Sequence, residues 1–189
     1  MSKLSLDWDN CRKRVSNLNL TENSMILDIG SNNGEKAHYI INKGQLTMSD
    51  ICRRKTSPFV LCEATNLPLK DNSFELVTML HVIEHIKNDA AVLREIYRVL
   101  KKDGTALIVT PNANRFTKFF SVALKVLKRS PYRYPMNIDH VFEYGASDIK
   151  SLLKNSEFQN YKIDPLFMRI SRYLRIRKYC DQWIVTAQK

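Results

Sequence analysis

Short apolar runs separated by amphipathic stretches set the rhythm of the first two thirds of this chain. Met25 to Ile29 is apolar except for Asp28, and its length and composition predict a strand. Leu46 to Ser49, Phe59 to Glu63 and Phe74 to Leu80 repeat the signature, and Thr105 to Thr110 makes a fifth run, broken by Pro111. Between these runs the period lengthens. Asp7 to Leu18 predicts an opening helix, with Val15 and Leu18 on one side of a charged face. Glu35 to Asn42 predicts a second helix, apolar at Ala37, Tyr39, Ile40 and Ile41, with Gly44 as its stop. Leu93, Ile96, Tyr97 and Leu100 follow the i, i+3, i+4, i+7 spacing of a third. Asn88 can cap it, and Lys101-Lys102-Asp103-Gly104 closes it with cations and a glycine.

Strands alternating with helices predict an α/β fold around a parallel, doubly wound sheet. The C-terminal third is less regular. Phe116 to Arg129 and Ala146 to Lys154 predict two more helices, and Trp183 to Ala187 a closing strand.

Composition narrows this to one domain spanning 1–189, large enough to bury a core without disulfide or metal staples. No apolar run approaches the roughly 20 residues of a membrane span, and the N-terminus lacks the apolar core of a signal peptide. Cys11, Cys52, Cys62 and Cys180 are scattered, with no C-x-x-C pair and no histidine at metal spacing, which predicts no metal site. They read as small buried hydrophobes in a reducing cytoplasm.

The net charge of +11 is unevenly distributed. Arg115 to Ile138 carries six basic residues and Arg169 to Lys178 five, with no acid in either stretch. The rest of the chain is neutral, at 19 basic against 19 acidic residues. The two patches therefore predict a separate anion-facing surface for a membrane or RNA.

The densest chemistry lies where the first strand ends, in Asp28-Ile29-Gly30-Ser31-Asn32-Asn33-Gly34. An acid and a glycine-bearing turn that opens a helix let a ligand lie against bare backbone. The second strand also ends in an acid, Asp50, at a spacing that suits the two hydroxyls of a ribose. The dinucleotide fingerprint G-x-G-x-x-G fails, because Asn32 and Glu35 occupy its second and third glycine positions and Glu35 would face a pyrophosphate.

The pattern D-x-G-x-x-x-G at Asp28, Gly30 and Gly34 instead resembles motif I of the class I methyltransferases that use S-adenosylmethionine. Asn32 departs from that family, where glycine is commonest, and asparagine tolerates the left-handed backbone such a turn needs. The resemblance extends in order over residues 22 to 112. Phe59 to Pro68 is similar to the third-strand motif, Asp71 to Val77 to the run into the fourth strand, and His81-Val82-Ile83-Glu84-His85-Ile86 to the loop that follows it in quinone-biosynthesis methyltransferases. Leu93 to Leu100 with Lys102-Asp103-Gly104-Thr105 resembles that subgroup's next helix and strand start.

The resemblance implies a Rossmann-like sheet of about seven strands with the last antiparallel and helices on both faces. It implies S-adenosylmethionine as cofactor. Asp28, Gly30, Ser31 and Gly34 would line its methionine end, Asp50 would hold the ribose hydroxyls, and Ile51 would pack on the adenine. Glu63 and the Ala64 backbone would read the adenine edge, with Leu80 and His81 near the sulfonium. A general base is needed only where the nucleophile must lose a proton, and His81, His140 and Tyr144 are the candidates. His81 could equally be a packing residue, and His85 is expected to be hydrogen-bonded beneath the loop. His81 with His85 supplies two metal ligands without a third.

Three readings of the partner stay open. The apolar positions of Phe116 to Leu127 alternate with lysines, which suits a lid over a small-molecule or lipid-like acceptor, or a helix peripheral to an anionic membrane. The Arg169 to Lys178 run, interleaved with Tyr173 and Tyr179, suits RNA. Against RNA, Leu80-His81-Val82 is not the Asn-Pro-Pro-Tyr loop of base-amino methylators. A non-catalytic module that keeps the fold is the third reading. Specificity is expected from 112–145 and 165–180.

Overall fold

A computed structural model describes residues 5–41, 43–53, 58–114, 141–166, 180 and 182–189. The expected helix over Phe116 to Arg129, both basic stretches and His140 lie outside the described residues. In chain order the elements are α1 (Ser5–Ser16), β1 (Met25–Ile29), α2 (Glu35–Ile40), β2 (Gln45–Asp50), β3 (Phe59–Leu61) and β4 (Phe74–Leu80). A 3-10 turn over Ile83–His85 follows, then α3 (Asp89–Val99), β5 (Leu100–Pro111), α4 (Ala146–Lys154), β6 (Asn160–Leu166) and β7 (Gln182–Gln188).

The strands form one sheet in the order β3-β2-β1-β4-β5-β7-β6. β1 to β5 pair in parallel, and β7 runs antiparallel between β5 and β6. This is the seven-stranded arrangement that the resemblance implied. Alternate residues of the central strands feed opposite faces, because successive side chains of a strand point to opposite sides. Leu27, Val77, Met79, Ile108 and Trp183 pack with Val92, Leu93 and Ile96 of α3 and Ile149 and Leu153 of α4. Ile26, Leu76, Leu107 and Ile184 pack on the other face with Cys11 and Val15 of α1 and Ala37 of α2. Both faces are covered, so the strands read as near-continuous apolar runs.

Three local expectations are corrected. β6 carried no strand signal of its own. It is an edge strand containing Pro165, with the polar residues Asn160, Lys162 and Asp164 alternating along it. α3 does not close on the Lys101–Gly104 run, because Leu100 already turns extended and pairs with Phe74 of β4. The left-handed residue there is Asp103, at φ 64°, rather than Gly104. α2 ends at Ile40, and Ile41 is extended.

One corner of the sheet gathers the described flanks of both expected acceptor-side segments. Asn112, at the end of β5, donates through Nδ2 to the Cys180 carbonyl at 2.8 Å. The Tyr144 carbonyl accepts from Ala113 N at 3.1 Å and from the Trp183 indole at 3.2 Å. Buried carbonyls need such partners, so these bonds bring residues 112–114, 144 and 180 together.

Candidate functional site

β3, β2, β1 and β4 end side by side, and the strand order turns between β1 and β4: β1 leads to β2 on one side, and β4 lies on the other. A crevice forms at such a switch point, outside the carboxyl ends of the strands. Here it is a cleft of about 180 Å³ lined by Asp28, Gly30, Ser31 and Leu80, all expected, and by Asn32, Asn33, Glu35 and Lys36.

Asp28 is 3% exposed and accepts from the Thr78 hydroxyl at 2.7 Å. Burial pushes its carboxyl up to about 7, against the opposing Thr78 hydrogen bond and Lys36 charge. An acid whose folded value is raised adds stability below its unfolded value of 3.8, and loses it as pH rises through 7. Asp28→Asn is therefore expected to stabilise the ligand-free protein at pH 8, with an advantage that shrinks as pH falls toward 4. Urea unfolding at both pH values checks this. A difference independent of pH would contradict it.

The turn after Asp28 is fixed from three sides. The amides of Gly30 and Ser31 both donate to the Ser49 carbonyl, at 2.8 and 3.0 Å. Gly30 has φ 69°, and a Cβ there would lie 2.2 Å from Val82 Cγ2, so only glycine lets the loop after β4 close on the turn. Asn32 takes φ 50°, the left-handed backbone that its side chain tolerates, and so replaces the family's usual glycine. Its amide donates to Asp50 Oδ2 at 2.9 Å, and Cys52 N donates to Oδ1 at 3.0 Å. Asp50 is thereby held as an oriented carboxylate behind the cleft-lining Asn32 and does not itself line the cleft.

Ser31 Oγ is buried with no hydrogen-bond partner among the described residues. Gly34 does not line the cleft: it precedes α2 at φ 79°, where a Cβ would meet Met48 Sδ at 2.6 Å. Ile51, 71% exposed, follows Asp50 on the surface. Glu63 is exposed just beyond β3, with Thr65 Oγ1 3.4 Å from its Oε2, and Ala64 is buried.

The loop after β4 buries its acid and exposes its second histidine. His85 is exposed, whereas Glu84 is 0% exposed. The 3-10 turn directs Glu84 inward, where Thr110 Oγ1 donates to Oε2 at 3.2 Å and His81 Nδ1 lies 3.3 Å from Oε1. Burial works to raise the Glu84 carboxyl. The nearby His81, a backbone amide and the His85 charge together outweigh it, and the group lies below its ordinary value. His81 itself has φ 61°, and its amide donates to the Val109 carbonyl at 2.8 Å.

Tyr144 is placed away from the cleft. It is buried beside Ile83, Leu93 and Ile149, and its hydroxyl donates to Asp89 Oδ2 at 3.0 Å. Burial and then the Asp89 charge push its hydroxyl upward, which suits a structural donor and opposes service as a base. Sequence spacing missed this because a tyrosine beside a histidine looks alike whether it faces core or cleft.

A methyltransferase-domain family matches residues 6–163 of the chain. The demethylmenaquinone methyltransferase of Thermotoga maritima is 34% identical over 131 residues, covering 60% of this chain and 57% of that protein. The tRNA (carboxymethyluridine(34)-5-O)-methyltransferase of Xenopus tropicalis is 30% identical over 100 residues, 47% of this chain and 16% of that protein. The chain thus spans little more than half of the first relative and a small part of the second. Among solved structures, an S-adenosylmethionine-dependent methyltransferase of Archaeoglobus fulgidus shares the fold at TM-score 0.68 and 17% identity, over 97% of this chain and 93% of that one.

Proposed function

The chain belongs to the class I S-adenosylmethionine-dependent methyltransferases through a methyltransferase domain matched over residues 6–163, and from that membership we infer that it methylates a small-molecule or lipid-like acceptor. The observation that carries the cofactor reading is Ser31 Oγ, buried and unpartnered among the described residues in a cleft at the switch point. A buried hydroxyl without a partner costs free energy that a ligand polar group can recover.

The residues present fit the cofactor. Asp28 and Ser31 would hold its amino-acid tail on the Gly30 backbone, and Asp50 its ribose. Exposed Ile51 offers an apolar face to the adenine, with Glu63 and the Ala64 amide at its edge. Leu80 and His81 would border the reacting centre. When bound, S-adenosylmethionine supplies a methyl group already activated on a sulfonium. The chain's task is to align the nucleophile, exclude water and, at His81, accept a proton where the nucleophile carries one. His140 is the second base we propose, on the segment that leads into Val141.

For the acceptor, the quinone-type relative and the exposed side chains of Val141 and Phe142 support an apolar molecule. Segments 112–145 and 165–180 would supply specificity in a single domain, and their basic residues would face an anionic membrane surface or RNA. A cytoplasmic site of action accords with this reading. RNA is the second reading, favoured by the tRNA-modifying relative.

Incubation with methyl-labelled cofactor, a short-chain demethylmenaquinol and total tRNA separates the two. Label is expected in the quinol. Label in tRNA alone would overturn the small-molecule reading.

A further inference from the structure

We propose that Glu84 is a positioning residue that holds the His81 imidazole through Nδ1, making Nε2 the atom that takes a proton from a hydroxyl-bearing acceptor. The inference rests on the methyltransferase reading and extends it to a residue and an acceptor class.

Glu84 is the most completely buried acid among the described residues. A carboxylate removed from water persists only where partners repay its lost hydration. Thr110 Oγ1 donates to Oε2 at 3.2 Å, while Oε1 makes no hydrogen bond among the described residues and faces His81 Nδ1 at 3.3 Å. Neither contact is needed to build the sheet: Thr110 and Val109 are already paired in the β5–β7 ladder. His81 moreover adopts a left-handed backbone, which a residue with a Cβ keeps only where its surroundings impose it. Its amide bond to Val109 and its ring contact to Glu84 are two such constraints.

Glu84 also organises the acceptor side. Its backbone carbonyl accepts from both Val141 N, at 2.9 Å, and Phe142 N, at 3.0 Å. The side chains of those two residues are each 43% exposed, large apolar groups held at the surface beside the loop. One residue thus faces the ring of His81, which follows the cleft-lining Leu80 in the chain, and holds the apolar segment at 141–142.

The tautomer proposed is the one that would satisfy the buried oxygen. Glu84 Oε1 has no hydrogen bond among the described residues and lies 3.3 Å from His81 Nδ1, and a carboxylate accepts only, so a proton on Nδ1 would supply the missing donor and leave the basic lone pair on Nε2. In the step this serves, the acceptor's hydroxyl proton moves to Nε2. The pair it leaves forms the bond to the methyl carbon, at oxygen or through an aromatic ring at carbon. The pair of the broken S–C bond stays on sulfur. The resulting imidazolium is balanced by the Glu84 carboxylate, an arrangement wasted on an acceptor with no proton to lose.

The test reads the ring directly. Long-range proton–nitrogen spectra of the ¹⁵N-histidine-labelled full chain at pH 8, with and without S-adenosylhomocysteine, report which nitrogen of each ring is protonated. His81→Gln assigns the signal. The wild type is expected to show an Nδ1–H ring at His81, and Glu84→Gln to shift a substantial fraction to Nε2–H while S-adenosylhomocysteine affinity changes less than about 3-fold. An Nε2–H ring in the wild type overturns the proposal, and needs no variant to fold. An unchanged tautomer in a folded Glu84→Gln does so too. Failure of the wild type to bind S-adenosylhomocysteine strikes the cofactor reading alone, since the tautomer is read in either state.

Discussion

Asp50→Ala is expected to weaken S-adenosylhomocysteine binding by roughly 100-fold or more while leaving the fold intact. Asp50 ends β2 and is only half-buried, so the core loses nothing with it. Its two oxygens accept from the Asn32 and Cys52 amides at 2.9 and 3.0 Å, and Asn32 lines the cleft. Alanine removes the acceptor for a ribose and also frees the left-handed Asn32 from the contact that keeps its amide turned toward β2. Hydrogen bonds to a charged group contribute about 1.5 kcal/mol or more each, and two of them amount to about 100-fold in affinity. Calorimetric titration beside thermal unfolding separates the two effects. Wild-type affinity in the variant would place the ribose elsewhere.

Trp183→Ala is expected to lower stability by about 4 kcal/mol, the range for truncating a large buried aromatic side chain. Trp183 is 1% exposed on β7, which is paired on both sides, to β5 and to β6. Its ring packs on the face covered by α3 and α4. The loss extends beyond volume. The indole N–H donates to the Tyr144 carbonyl, which also receives Ala113 N, and these contacts tie the end of β5 to the segment that carries Val141 and Phe142. Urea unfolding measures the change. A loss below about 1 kcal/mol would mean that the corner repacks and does not depend on this residue.

The elements legible in the sequence were those with both sides buried or a local signal. β1 and β4 are apolar along almost their whole length because helices cover both faces of the sheet. Asn88 was legible as a cap, and its Oδ1 accepts from Ala91 N at 3.1 Å. Asp28 and Asp50 stood out as strand-end acids; Asp28 lines the cleft, and Asp50 accepts from the amide of Asn32, which also lines it. β6 was not legible, since an edge strand of alternating polar residues resembles a loop. Nor were the roles of Glu84 and His85, because a single 3-10 turn decides which of two adjacent side chains faces inward. Tyr144 was misjudged for a different reason: its partner, Asp89, lies 55 positions away, beyond any local pattern.

The central claim is that the cleft after β1 takes S-adenosylmethionine. The most direct test is calorimetric titration of the purified wild-type chain with S-adenosylhomocysteine at pH 8, where Asp28 is ionised. The account predicts saturable one-to-one binding, accompanied by an upward shift of the unfolding temperature. Absence of both heat and thermal shift would contradict it, and would leave a methyltransferase fold that serves as a non-catalytic module.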